Sequence, residues 1–298
     1  MTAVRYNLGC VAFNNPEDLR RMISSLEQWN PIGLHRCMLV DHSTECAVRA
    51  INYELAIDAG WQYVNQPNRG FGAGVNRLAS MSGDETVLVV INLDVSFLET
   101  PPFQMMAEAI QKGAFSWVGT SMMNETGARV AGRLPSFGLK MLIHNFQRDL
   151  DERSSVGSSW KDIMVWNGAV HGGCFAVRIK DFIDVDGIDE ALFLYAEEYD
   201  LYLKFLRARR LTGFLVSSAI VHASEGEGQL KKQFLNRYNL RYLAWRENKW
   251  VLSLVLTMLL SFDLVSLRGT YLMKPLLLAN MSRPALLEKL FPDNPPEP

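Results

Sequence analysis

The chain has 298 residues, 48% of them apolar and 21% charged, with a formal net charge of −2. That length and apolar share provide for one large α/β domain or two small ones, and the near-neutral balance argues against a nucleic-acid surface. Cysteines at 10, 37, 46 and 174 show no CxxC pairing and no His at ligand spacing; Cys10, in an apolar strand-like run, reads as a buried thiol, and a reducing, cytoplasmic setting is expected.

Val4 to Phe13 reads as a first buried strand that breaks at Asn14-Asn15-Pro16, a pattern unlike a signal peptide. Pro16 opens a helix with Glu17 and Asp18 in its first turn and apolar positions at Leu19, Met22, Ile23 and Leu26. Cys37 to Val40 is a second strand, ending in Asp41-His42-Ser43; a helix over Ala47 to Ala59 and a strand at Trp61 to Val64 follow. Strands alternating with helices predict an α/β fold with a mainly parallel sheet and helices on both faces. Ligands of such sheets sit beyond the carboxyl ends of the strands, which groups Asn14, Asp41 and the loop after Val64.

That loop, Asn68-Arg-Gly-Phe-Gly-Ala-Gly-Val-Asn76, leads into a helix expected over Arg77 to Met81. Its glycines at 70, 72 and 74 would let backbone approach a ligand, but the spacing is not GxGxxG, and a tight turn explains it equally well. Thr86 to Ile91 is an apolar, central strand ending in Asn92-Leu-Asp94, where Asp94 is open between a turn residue and a ligand for a hard cation. The Met105-Met106 pair reads as core filler in a helix from Pro101. Ser116 to Met122 is another strand.

Residues 124–165 are polar and glycine-containing, predicting a long excursion with a helix near Leu139 to Arg148 and a mobile segment around Ser154 to Ser159. Trp166-Asn-Gly-Ala-Val-His-Gly-Gly173 then precedes a strand at Cys174 to Val177, the paired glycines marking close packing against a ligand or a bulge. Phe193-Leu-Tyr-Ala-Glu-Glu-Tyr-Asp200 places Glu197, Glu198 and Asp200 ahead of a helix expected over Leu201 to Arg209. Crowded carboxylates raise one another's proton affinity, one route to a base that works near neutrality; a solvated acidic helix start is the alternative. His222 follows an apolar strand and is open between a structural residue and a metal ligand.

Trp250 to Leu267 is strongly apolar but interrupted by Asp263, and basic residues flank it from Lys231 to Lys249 and at Arg268 and Lys274. It reads as a helix packed on the domain, lying in an anionic membrane interface, or serving a homo-oligomer contact. The expected division is a catalytic domain over 1–235 and a helical extension over 236–298, with residues 291–298 a disordered end.

Taken in order, these motifs resemble an inverting family 2 glycosyltransferase of the GT-A fold, in the branch that includes rhamnosyltransferases. Val11-Ala-Phe-Asn14 resembles the family's Thr-Tyr-Asn, Val40-Asp-His-Ser43 its Val-Asp-Asn-Gly/Ser, and the 68–76 loop its Asn-x-Gly-Phe-x-x-Gly-x-Asn. Asn92-Leu-Asp94 resembles Asn-Pro-Asp. The run from Gly172-Gly173 through Gly187-Ile-Asp189 to Asp200 resembles Gly-Gly…Gly-Phe-Asp-Glu-x-Phe-Phe-Leu-Tyr-x-Glu-Asp-x-Asp. The likeness spans about residues 4–245. It implies a nucleotide-sugar donor held by Phe13, Asn14, Asp41, Arg69, Gly70, Asn76, Asn92 and Asp94. Phe13 would lie against the base and Asp41 would hydrogen-bond it. Asp94 would bind Mg²⁺ or Mn²⁺, with His222 as second ligand. Glu198 would be the catalytic base, and Trp166, Gly172, Gly173, Glu197 and Asp200 would serve the acceptor, an oligosaccharide or lipid-linked glycan. The chain departs from the family pattern at Asn92, His42 and Glu198, the last standing where Asp is usual. The resemblance implies dTDP-rhamnose as donor. Alternatives are UDP-galactofuranose or another UDP-sugar on the same chemistry, a non-catalytic carbohydrate- or nucleotide-binding protein on this scaffold, and a nicotinamide-dependent oxidoreductase, against which the missing GxGxxG argues.

Overall fold

A computed structural model describes residues 3–83, 87–124, 126–130, 132–134, 136–139, 163–217, 219–222 and 229–267. The expected helix over 139–148 and the segment 154–159 lie outside the described residues, apart from Leu139, as do 223–228 and 268–298.

The amino-terminal half alternates as expected: β1 (Tyr6–Ala12), α1 (Pro16–Trp29), β2 (Leu34–Asp41), α2 (Cys46–Asp58), β3 (Gln62–Asn65), α3 (Phe71–Ser82) and β4 (Val87–Ile91). Local chemistry sets the helix ends. Asn15 caps α1 by accepting from the Asp18 amide at 3.3 Å, Pro16 needs no donor there, and Asn30 closes the helix in the left-handed region at φ 41°. The chain continues through β5 (Val95–Phe97), α4 (Phe103–Lys112), β6 (Phe115–Thr120), β7 (Met122–Met123), β8 (Arg129–Val130), β9 (Ile163–Trp166), β10 (Cys174–Arg178) and α5 (Ile179–Asp184). It ends with α6 (Glu197–Arg207), β11 (Leu211–Leu215), β12 (Ile220–His222), α7 (Gln229–Arg246) and α8 (Trp250–Leu267).

An eight-stranded sheet runs β3-β2-β1-β4-β10-β6-β11-β9. It is mostly parallel; β10 is antiparallel to β4 and β6, and β9 to β11. Strand order reverses between β1 and β4, which places a ligand crevice beyond Ala12 and Ile91. Side-chain alternation feeds two cores. On one face Val87, Val89 and Ile91 join Tyr6, Leu8 and Cys10 under α1 and α4, and Met106 is fully buried there. On the other, Leu88 and Val90 join Leu78, Phe205, Leu240 and Leu256, from α3, α6, α7 and α8.

Three boundaries differ from expectation. α3 begins at Phe71, so Gly72 and Gly74 are helical rather than loop residues. α6 begins at Glu197, so the acidic run is its first turn. The division expected at 235/236 falls inside α7, whose Leu240, Leu243 and Ala244 are core residues. Residues 236–246 thus pack on the same core as α3 and α6. A smaller sheet, β5-β12-β7-β8, caps the crevice side.

Candidate functional site

Asp94 closes the turn between β4 and β5, and β12 pairs antiparallel with β5 so that His222 stands opposite Val95. That register brings His222 Nε2 to 3.5 Å from Asp94 Oδ1, beyond an ordinary N–H···O bond. The Asp94 side chain is 41% exposed, yet its Oδ1 is buried with no hydrogen-bond partner among the described residues. A buried oxygen left this way can be satisfied by an ion or an ordered water. Two atoms each about 2.1 Å from one cation at a right angle lie about 3 Å apart, so this pair fits a shared divalent ion. Among the described residues no cluster of three or more His, Cys, Asp or Glu is poised for metal, so the remaining coordination would come from ligand and water. Asn92 lies beside this pair, its backbone N–H donating to Gly173 O at 3.0 Å.

Gly173 connects the pair to the acidic helix. A Cβ there would lie 3.0 Å from His222 Cδ2, and the neighbouring Gly172 N–H donates to Glu198 Oε1 at 3.0 Å. The paired glycines thus let the backbone pass between the His222 imidazole and a partly exposed carboxylate. Glu198 is the member of the acidic run that keeps a solvent-facing side; Glu197 and Asp200 are buried. His171 completes the group, its ring packing edge-on against His222 at 5.7 Å and its Nδ1 accepting from Gly173 N–H at 3.0 Å. A neutral His171 therefore carries its proton on Nε2. Sequence reasoning passed over His171; its place before the double glycine was the available signal.

Other expected site residues are occupied by the protein itself. Asp41 is fully buried and accepts from Ser43 N–H (2.8 Å), Asn52 Nδ2 (3.1 Å) and Tyr63 Oη (2.9 Å), bonds that brace the end of β2. Burial, then the bond to Asp41, pushes the Tyr63 phenol upward. Asn14, at φ 49°, bridges to Ser43 and Thr44. Asn76 exchanges bonds with the Ile188 backbone at 2.9 Å and donates to Glu190, tying α3 to the segment before α6. Asp200 accepts from the Asp189 amide and pairs with Arg246 at 2.6 Å and Lys204 at 3.1 Å, so it braces the start of α6.

The glycines likewise serve protein contacts. Gly70, at φ 94°, has room for no side chain: a Cβ would sit 1.9 Å from the Phe193 carbonyl oxygen. A Cβ on Gly72 would strike Ile188 and one on Gly74 would strike Val11, so the α3 backbone packs closely on both side chains. Glu197 lies under Gly72, whose Cβ would be 3.8 Å from Glu197 Cγ. Trp166 sends its indole N–H to Ala169 O at 2.9 Å, with the Arg133 guanidinium over its ring at 5.0 Å.

Phe13 and Arg69 remain partly open at the crevice. Phe13 is half-buried after β1, and Arg69, 60% exposed, pairs with Glu190 at 2.9 Å. His42 lines the floor, 2% exposed, with Nε2 2.9 Å from Gln66 Nε2. Burial pushes its pKa down to about 4, outweighing the opposing pull of Asp41, so the ring is neutral at pH 7.

No family model and no curated protein sequence matches the chain. Solved structures do share its fold. GalNAc-T7, in a structure with UDP, GalNAc and Mn²⁺, aligns at TM-score 0.57 and 15% identity over 76% of this chain and 44% of that one. The chain thus spans less than half the length of that neighbour. A mycobacterial protein aligns at TM-score 0.56 and 15% identity, covering 82% of this chain and 74% of its own. S. aureus TarS aligns at 0.48 and 13% identity over 79% and 39%. The fold is that of the GT-A glycosyltransferases.

Proposed function

We propose that this chain transfers a sugar from a nucleoside-diphosphate donor to a hydroxyl of a glycan or lipid-linked saccharide, with inversion, in cell-surface polysaccharide synthesis. One observation carries the reading. Asp94 and His222 meet at 3.5 Å beside a double glycine whose amide fixes Glu198, on the crevice side of a GT-A sheet.

The Gly172 amide holds one oxygen of Glu198 and leaves the other to take the acceptor's proton. As the acceptor's hydroxyl oxygen gives its proton to Glu198 it bonds to the anomeric carbon, while the bond from that carbon to the diphosphate oxygen breaks and the nucleoside diphosphate leaves. A single displacement from the face opposite the leaving group inverts the centre. Asp94 and His222 would hold Mn²⁺ or Mg²⁺, which supplies charge neutralisation on the departing diphosphate. The mixed oxygen and nitrogen pair suits Mn²⁺ better than Mg²⁺, whose preference is for oxygen alone. Phe13 offers an apolar face to the base, Arg69 positive charge to the diphosphate, and Asp41 acts from behind by fixing the end of β2. The donor favoured by motif resemblance is dTDP-rhamnose, with UDP-galactofuranose or a UDP-hexose as the alternative.

Among the described residues no helix is long and apolar enough to cross a membrane. α8 nonetheless exposes Trp250, Val251, Leu254 and Met258. We place this face against an anionic membrane surface, near the lipid-linked acceptor. Flotation with phosphatidylglycerol vesicles should weaken in Leu254→Glu.

Release of nucleoside diphosphate from a donor panel, with Mn²⁺, Mg²⁺ or chelator, tests the transferase reading. Metal-dependent turnover of one donor is expected. Lack of turnover and of nucleotide binding across the panel, with or without metal, overturns it.

A further inference from the structure

α7 and α8 form a helical hairpin whose groove is unlike the rest of their surface. Tyr238, Arg241, Tyr242 and Trp245 recur at helical spacing on one face of α7. An aromatic stripe at that spacing is ordinarily core, but the core face of α7 is another one, carrying Leu235, Asn239, Leu240, Leu243 and Ala244. Trp245 is instead 60% exposed, and Tyr238 and Tyr242 are half-buried. Across the groove, the mostly apolar α8 presents Ser253 and Thr257, one helical turn apart. The Thr257 hydroxyl donates to Ser253 O at 2.8 Å, leaving its lone pairs for an incoming donor. These residues and Ala191 enclose a cleft of 560 Å³, within the roughly 300–1,000 Å³ usual for ligand sites.

We propose that this cleft binds a saccharide, the stretch of acceptor glycan that lies beyond the reacting sugar. A pyranose presents apolar C–H faces and a rim of hydroxyls. Aromatic faces match the former, and the Arg241 fork with the Ser253 and Thr257 oxygens matches the latter. The Arg241 guanidinium lies 5.3 Å over the Tyr238 ring, a contact that pre-orders both. A cleft for lipid tails would not spend its wall on an arginine and hydroxyls. One for a bare phosphate would not need its aromatic rings.

The cleft is also bolted to the proposed catalytic turn. Asn239, on the same helix, donates to Leu194 O at 2.8 Å and Tyr195 O at 2.9 Å, in the segment that leads into Glu198. Tyr242 Oη donates to Asp189 Oδ2 at 3.0 Å at the other end of that segment, and Ala191 between them lines the cleft. A glycan lying there would run toward the carboxylate. Its role as acceptor rests on the transferase reading above.

The test is a printed oligosaccharide array probed with the full chain, Trp245→Ala and Tyr238→Phe, alongside calorimetry with UDP and dTDP in Mn²⁺. The full chain should retain a subset of oligosaccharides. Trp245→Ala should lose them about tenfold, Tyr238→Phe should keep them because its ring remains, and nucleotide affinity and melting temperature should be unchanged in both. Nucleotide binding with no oligosaccharide binding, or oligosaccharide binding indifferent to Trp245, overturns the proposal and spares the transferase reading. Trp245-dependent oligosaccharide binding without nucleotide binding supports the cleft and overturns the transferase reading instead. Loss in Trp245→Ala of retention on phosphatidylglycerol vesicles, with glycan binding intact, also overturns the proposal.

Discussion

Two carboxylates of the first turn of α6, Glu198 and Asp200, live in opposite circumstances. Asp200 is fully buried and held by Arg246, Lys204 and the Asp189 amide. Glu198 has one bond from the Gly172 amide and keeps a solvent-facing side. The same contrast divides the crevice: its β2 side, with Asp41 and Asn14, is saturated by the chain's own donors, while its β4 side leaves Asp94 Oδ1 without one among the described residues. A saturated acid braces a fold; one with spare valence can take a proton or a cation.

The sharpest way to break this contrast is to make the same swap at both acids. Glu198→Gln should lower turnover by about 10²–10⁴ and leave donor affinity and melting temperature alone. A parallel loss of nucleotide affinity in calorimetry would remove Glu198 from the role of base. Asp200→Asn should do the reverse, lowering unfolding free energy by about 3 kcal/mol in urea titrations, because Arg246 and Lys204 lose a buried partner. Full stability in that variant would contradict the bracing role.

His42 sharpens the comparison on the β2 side. Its imidazole titrates near 6.5 when unfolded and near 4 when folded. The unfolded chain therefore binds more protons between those values. Stability should be intact above pH 6.5 and decline as pH falls toward 4, by about 3 kcal/mol in all. His42→Asn should flatten that part of the profile; an unchanged slope would assign it to other groups. The smallest effect is expected at Arg69, whose pair with Glu190 is largely exposed. Arg69→Ala should cost under about 1 kcal/mol of stability, while weakening donor binding if the guanidinium faces the diphosphate. A larger fall in melting temperature than in nucleotide affinity would make it a structural pair.

Elements were more legible than roles. The buried run 87–91 and the Pro16 helix start follow from local pattern, and each lies where periodicity puts it. The double glycine was visible as a close approach, though not that it passes between His222 and Glu198. In the 68–76 loop a glycine that admits a ligand and one that admits a neighbouring side chain look alike in sequence; Gly72 packs against Ile188 and Gly74 against Val11. Trp250 to Leu267 is mostly apolar, and only packing shows Leu252, Leu256 and Leu260 turned inward and Trp250 and Leu254 outward.

The order of strands and helices and the acids at strand ends were written in the residues themselves, because alternation, caps and turn formers act over a few positions. Which of those acids are spent and which are spare was decided by partners far away in the chain. Asp200 meets Arg246, Asp41 meets Tyr63, and Asp94 meets His222 only once the sheet has set their registers. Hydrogen-bond saturation is a property of the assembled neighbourhood, and no local pattern carries it.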